Sequence, residues 1–282
     1  MKIYSKRKAL EAVRVYPPKL EHVKNQTEEI CLAAVSQNGV ALEYVKKQTP
    51  EICLVAVRND GFALQFVEKQ TEEICLEAVR NNGLALRYVK EQTLKICLVA
   101  VRECAFALYL VKDQTDEICL AAIHRNACAL EYVNNQTSEL CLKAVRECGM
   151  ALEFVRNQTP EICLEAVKNC GKALKYVKDR TDEICLAAVR DYGLALEYVE
   201  HQTEEICLAA VTQNYFALQY VKNQTEEICL SVVRRKGLLL RYVKNQTPNI
   251  CKEALMQNTD AIKFCDPKLV LDAFVEVTGH TT

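Results

Sequence analysis

Threonine recurs every 22 residues from Thr27 to Thr247 with no insertion between copies. This strict period constrains the fold more than any other feature of the chain. With that Thr as position 1, the unit reads T-x-E-I-C-L-x-A-V-x-x-N-G-x-A-L-x-Y-V-x-x-Q. So short a unit cannot bury its own apolar side chains, so neighbouring copies must stack to make a core. Residues 27–268 hold eleven regular repeats, and a degenerate first copy at 5–26 keeps Leu10, Ala12, Val13, Leu20 and Val23. Residues 269–277 are expected to form a capping helix and 278–282 a tail. The expectation is an all-α chain, a single α-solenoid domain over 1–282 built of tandem helix-turn-helix repeats. At roughly 8–10 Å per packed helix layer, about twelve units would extend on the order of 100 Å.

Each unit carries the signals of two helices. Thr at position 1 is a good N-cap, because its side-chain oxygen can accept from a free N–H of the first turn. Pro50, Pro160 and Pro248 each follow such a Thr, where a missing N–H costs nothing. Glu at position 3 and Arg or Lys at position 10 suit the two ends of the helix dipole. Gly at position 13, as in Gly39, Gly61 and Gly83, is expected to be a left-handed stop. Ala105, Ala127 and Tyr215 replace it and put that stop in doubt in their units. The second helix is expected from apolar positions 15, 16, 18 and 19, an i, i+1, i+3, i+4 stripe. Apolar positions 4, 5, 6, 8 and 9 give the first helix the wider apolar arc, about 200° against about 160° at 100° per residue. The first helix is therefore expected on a concave face and the second on a convex one.

Blocks such as Glu205-Ile-Cys-Leu-Ala-Ala-Val211 and Gly193-Leu-Ala-Leu-Glu-Tyr-Val199 resemble the short α-helical repeats of proteins from giant DNA viruses of amoebae. They are also similar to a domain-of-unknown-function repeat family built on A-V-x-x-x-G-x-A-L-x-Y. The likeness runs from about Ser5 to Cys265, with departures at Pro17-Pro18, Lys252, Ala105, Ala127 and Tyr215. It implies a repeat fold and no activity, and, for a viral protein, a location in the host cytoplasm.

Formal net charge is −1, from 36 basic and 37 acidic residues, so bulk charge calls for neither nucleic acid nor an anionic membrane. No run approaches the roughly 18 apolar residues of a membrane span, so no membrane partner is expected. The basic N-terminus lacks the apolar stretch of a signal peptide, and a cytoplasmic location is expected. Eleven of the sixteen cysteines fall at position 5, from Cys31 to Cys251. Stacked helices put such thiols roughly 8–10 Å apart, beyond the ~7 Å Cα limit of a disulfide, so they read as reduced core residues. Cys97/Cys104, Cys141/Cys148 and Cys163/Cys170 would be i, i+7 pairs on the first helix, about 10 Å apart along its axis. That is too far to share one Zn²⁺ at ~2.3 Å bonds. No metal site, no cofactor and no catalytic constellation is expected, since a reacting centre needs unlike residues brought together once. The chain is expected not to be an enzyme.

The candidate binding residues are two charged rows on the first helix. The basic row is Arg58, Arg80, Arg102, Arg146, Lys168, Arg190 and Arg234. The acidic row is Glu29, Glu51, Glu73, Glu117, Glu139, Glu161, Glu183, Glu205 and Glu227. Helix-end electrostatics alone would place them there; a groove with one basic and one acidic rim, able to hold a protein or peptide, is the functional reading. Apolar residues at position 14, such as Val40, Phe62, Phe106 and Phe216, would either seal adjacent turns or form an interaction stripe. A single-stranded RNA reader with one base per unit is the alternative, favoured by the basic row and by variation at position 11 (Gln37, Asn59, Glu103, Arg125).

Overall fold

The structure, a computed structural model, describes residues 6–270. The fold is an all-α solenoid of 22-residue repeats, and no strand occurs among the described residues. Each repeat holds one α-helix over positions 2–11, as in Pro50–Asn59, except that Glu226–Val233 ends two residues earlier, and one 3₁₀ helix over positions 13–18, as in Gly61–Phe66. The chain divides into two compact units, Met1–Leu140 and Cys141–Thr282. Within each unit, successive first helices pack on one another, as do successive second helices, and a first helix also touches the second helix of the preceding repeat. A last helical segment opens at Pro267. The expected capping helix 269–277 lies largely, and the tail 278–282 wholly, outside the described residues, as does Ser5 at the start of the first copy.

The first helices begin as their sequence dictates. Thr49 Oγ1 accepts from the Ile52 amide at 3.3 Å, and the same bond recurs at Thr71, Thr93, Thr115, Thr137, Thr159, Thr181, Thr203, Thr225 and Thr247. Thr27 is the exception, its hydroxyl buried without a partner. Positions 4, 5, 8 and 9 are buried, for example Ile52, Cys53, Ala56 and Val57. Position 6 departs from expectation. Leu54, Leu98, Leu164 and Leu208 are only half-buried, and Leu76 alone among these leucines is fully enclosed.

The second helix corrects the α-helical expectation. Its bonds run i to i+3, as from the Ala63 amide to the Asp60 carbonyl at 2.9 Å and from Val67 to Leu64 at 3.1 Å. At three residues per turn, positions 13, 16 and 19 share one edge, and Gly61, Leu64 and Val67 are all buried. Positions 14 and 17 share the outer edge. The residue at position 12 is the N-cap: Asn82 Oδ1 accepts from the Leu84 amide at 3.0 Å, and Asp60 does the same for Phe62 at 2.9 Å. Cys104, Cys148 and Cys170 occupy this cap position with no side-chain cap bond. They sit beyond the first helix rather than on its face, which overturns the i, i+7 geometry expected for them.

The glycine at position 13 is not a left-handed stop either. No glycine among the described residues has a positive φ; each lies against the first helix of the next repeat. A methyl group on Gly61 would meet the Ala78 carbonyl oxygen at 2.5 Å and Asn82 Cβ at 3.2 Å. Close backbone approach, rather than backbone conformation, is what glycine supplies here. Ala105 and Ala127 are buried and Tyr215 half-buried in the same 3₁₀ geometry, so the repeat tolerates their side chains.

Candidate functional site

Every residue of both charged rows is exposed. They flank the half-buried position-6 leucines on the side of the first helix that faces away from the core. The rows are not brought together in general. Arg190 does reach Glu205, at 3.3 Å, but most basic residues with a partner find it elsewhere. Arg58 pairs with Glu77 at 2.7 Å, and Arg80 takes the other oxygen of the same carboxylate at 2.6 Å. Arg146 pairs with Glu165 at 2.9 Å and Arg234 with Glu253 at 3.2 Å; Lys168 stands 4.0 Å from Glu165. Glu77, Glu165 and Glu253 occupy position 7, outside either expected row. The reason is geometric: position 10 of one helix lies beside position 7 of the next, 19 residues on. Hydrogen bonds from Arg58 and Arg80 hold the Glu77 carboxyl below its usual range, and the Arg146 hydrogen bond does so for Glu165. Arg102 faces a repeat with Ala121 at position 7 and makes no ion pair among the described residues.

Acidic residues of the expected row touch few cations. Lys6 contacts Glu29 at 2.5 Å. Glu51, Glu73, Glu117, Glu139, Glu161, Glu183 and Glu227 make no side-chain ion pair among the described residues. On this surface Arg190, Glu205, Leu208, Ala209, Thr212 and Gln213 line a shallow open groove with an apolar floor and charged edges.

Other polar positions are committed to holding the repeats together. Asn59 Oδ1 accepts from the Gly39 amide of the preceding repeat at 2.7 Å, while its Nδ2 donates to the Ser36 carbonyl at 3.0 Å. Asn81 and Asn169 repeat both bonds, and Asp191 and Gln213 accept from Gly171 and Gly193. Arg125 and Arg235, which follow Ala105 and Tyr215, instead donate to the carbonyls of Arg102 and Thr212. At these repeats position 11 is thus a clasp between neighbours, accepting from the glycine amide where position 13 of the preceding repeat is Gly and donating to a carbonyl after Ala105 and Tyr215.

A second clasp escaped the sequence reading entirely. Gln48 at position 22 donates to the Phe66 carbonyl at 2.7 Å and accepts from the Glu68 amide at 3.0 Å, both in the next repeat. The Cys53 thiol also points at its oxygen, at 3.5 Å. Gln26, Gln70, Gln92 and Gln224 repeat the pattern. Its signal was present: glutamine at this position in ten of the units with no helical role to explain it. Lysines at position 20 add a bond to the preceding repeat, as from Lys112 Nζ to the Lys90 carbonyl at 3.4 Å.

The sixteen cysteines are free. Burial pushes the position-5 thiols up, Cys119 and Cys229 to about 11 and Cys251 to about 12. These are poor nucleophiles and poor ligands, which must deprotonate to react. Among the described residues no group of His, Cys, Asp and Glu could hold a metal ion. None of the described helices is long and apolar enough to cross a membrane.

Position 14 mostly seals adjacent turns. The Phe62 ring meets Tyr88 of the next repeat edge-on with centroids 6.1 Å apart, and Phe106 meets Tyr132 at 5.9 Å. Phe106, Phe216 and Leu238 nevertheless remain about 40% exposed, at 41%, 38% and 40%.

No curated protein and no solved structure matches the chain. Residues 49–95, 137–181, 159–202 and 181–224 match the model of a family described as a domain of unknown function (DUF4116), so these segments are similar to a repeat family to which no activity is attached.

Proposed function

We propose that the chain is a non-catalytic interaction scaffold that binds a protein or peptide along the face built by the first helices. The observation that supports this most is the composition of that face after the structural bonds are subtracted. It keeps half-buried leucines at position 6, exposed carboxylates at position 3 most of which make no ion pair among the described residues, and cations at position 10 that are shared or, at Arg102, without an ion pair among them. Such a strip offers apolar contact flanked by opposite charges, which suits an extended segment with its own alternating charge. Against the RNA alternative, Asn59, Asn81, Asn169 and Arg125 at position 11 spend side-chain hydrogen bonds on backbone groups of the neighbouring repeat.

The test is a peptide selected by display against the intact protein, then measured against the Arg58→Glu, Arg80→Glu, Arg102→Glu triple variant. Affinity should fall about 10-fold or more, as for charge pairs at an interface, with an unchanged circular dichroism spectrum. Unchanged affinity would remove this face from consideration. A salt-sensitive shift of pooled single-stranded RNA by the wild type would restore the rival reading.

A further inference from the structure

The outer edge of the second helices carries a different kind of surface. Tyrosine recurs at position 18, half-buried. In three repeats the residue just before it lays a cation on that ring. Lys175 Nζ sits 4.3 Å from the Tyr176 centroid, the Arg241 guanidinium 4.8 Å from Tyr242, and Arg87 5.8 Å from Tyr88. These are cation–π distances, so the tyrosine at this position accepts a positive charge wherever the chain supplies one.

At Tyr132 the chain supplies none. The preceding residue is Glu131, and no cation lies over the ring among the described residues. Two further aromatic rings crowd the same spot instead. Phe106 stands edge-on to Tyr132 at 5.9 Å and Tyr109 lies tilted at 5.8 Å. Tyr109 is the one aromatic residue at position 17, and it is 50% exposed, with Phe106 at 41%. The Glu131 carboxylate is near enough to be the main cause that pushes the Tyr132 hydroxyl up, with Tyr109 adding to it. Three rings and a carboxylate that bonds the Tyr132 hydroxyl and makes no ion pair among the described residues are gathered at one exposed corner.

We propose that Phe106, Tyr109, Tyr132 and Glu131 form a trap for a methylated lysine side chain on a partner protein. The rings supply electron-rich faces, and the carboxylate supplies the opposite charge. Methylation matters because ring faces cannot replace the hydrogen bonds that a plain ammonium leaves behind in water, whereas methyl groups need none. The corner is open rather than enclosed, so a free small cation would keep much of its hydration. A side chain carried on a segment gains from flanking contacts as well. The site lies apart from the charged rows, so charge reversal at Arg58, Arg80 and Arg102 leaves it intact and the two readings can fail separately.

The experiment titrates the intact protein with a short peptide bearing trimethyllysine, followed by ligand-observed NMR. Saturable binding is expected, about fivefold or more weaker for the neutral tert-butyl isostere of the same peptide and for the unmethylated lysine peptide. Glu131→Arg reproduces the Arg241–Tyr242 arrangement within the chain's own repeat and should weaken binding about tenfold or more by filling the ring face. Tyr109→Gln, which installs the residue present at Gln65 and Gln219, is expected to weaken it severalfold and covers the case in which the arginine variant fails to fold. The proposal is overturned by absence of saturable binding, by equal binding of the neutral isostere, or by a folded Glu131→Arg or Tyr109→Gln protein that binds as well as wild type. Choline binding as tightly as the peptide overturns the assignment to a side chain.

Discussion

Repeat 8 ends with Arg180 where its neighbours have Gln158 and Gln202, and that single departure allows the glutamine clasp to be weighed. Gln158 accepts from the Lys178 amide at 3.0 Å and donates to the Tyr176 carbonyl at 2.9 Å; Gln202 does the same for Lys222 and Tyr220 at 2.9 and 3.0 Å. A guanidinium has no acceptor. Arg180 therefore leaves the Glu200 amide without the side-chain oxygen its counterparts receive, and donates within its own repeat, to Leu174 at 3.3 Å and Lys175 at 3.4 Å. Its compensation is an ion pair with Glu200 at 3.5 Å, in which Glu200 is 88% exposed. Arg180→Gln should regain two backbone bonds at about 1 kcal/mol each. It would keep the equivalent of the Leu174 bond, as Gln114 and Gln224 do with Leu108 and Leu218 at 3.1 Å. It would lose the long Lys175 bond and a solvated ion pair, together about 1 kcal/mol. The net expectation is stabilisation by about 1 kcal/mol.

Two readouts check this. For a unit of this size, about 1 kcal/mol raises the melting temperature by about 2–4 °C. Hydrogen exchange is more local: the Glu200 amide should slow about fivefold or more, since 1.4 kcal/mol corresponds to a factor of ten, while amides several repeats away stay unchanged. The mirror experiment, Gln158→Arg, should lose a similar amount and speed exchange at Lys178. An Arg180→Gln protein with unaltered Glu200 exchange and an unaltered melting point would refute the view that glutamine joins the repeats.

The glycine clasp should behave as a coupled pair. Gly61→Ala drives a methyl against the Ala78 carbonyl and should cost about 1–3 kcal/mol; adding Asn81→Arg imitates the tolerated Ala105 and Arg125 pair and should recover part of that loss in thermal unfolding, whereas a single variant melting with the wild type would dismiss the packing argument. Alkaline pH should weaken the fold through its thiols. Their folded values are raised above the ordinary 9.0, so stability is full below pH ~9 and is lost as pH rises toward the folded values. At pH ~10 the unfolded chain ionises first, which costs on the order of 1 kcal/mol for each of Cys119 and Cys229. Urea midpoints measured from pH 8 to 10.5 should fall steeply and less so in a Cys119→Val variant; a flat profile would contradict thiol burial as the cause.

The repeat, its length and the start of each first helix were legible because they rest on local chemistry. Thr49 followed by Pro50 and Glu51 can hardly begin anything but a helix. The second helix was legible as a helix but not as 3₁₀. Within six residues, Ala63, Leu64, Phe66 and Val67 share a side at either 3.6 or 3.0 residues per turn, so the apolar stripe carries no information about which ladder forms. Gly61 read as a turn residue because Asn-Gly and Asp-Gly pairs usually are; what demands it is the Ala78 carbonyl of another repeat, which no local rule contains. The linkage of Gly39, Gly61 and Gly149 to Asn59, Asn81 and Asn169, and its loss at Ala105 and Arg125, was visible as a correlation at 20 residues. It lacked a reason until the backbone bonds were seen. Both charged rows were legible as exposed, while their partners Glu77, Glu165 and Glu253 were not, because pairing depends on the register between neighbouring helices.

That register also decides how polar variation in such a chain should be weighed. Asn81, Gln70 and Lys112 are polar and half-buried or exposed, as binding residues would be, yet each is bonded to the backbone of an adjacent repeat. Changing one alters cohesion first and recognition only as a consequence. Glu73, Arg102, Tyr109 and Glu131 differ in kind, because among the described residues their side chains make no bond to a neighbouring repeat's backbone. A surface that evolves toward a partner can change these four without loosening the stack, whereas change at Asn81 requires an answering change at Gly61. Partner contact is therefore expected to concentrate at positions 3, 10, 14 and 17, and a scan in which single substitutions at positions 11 and 22 abolished binding without lowering the melting temperature would show that the two sets had been sorted wrongly.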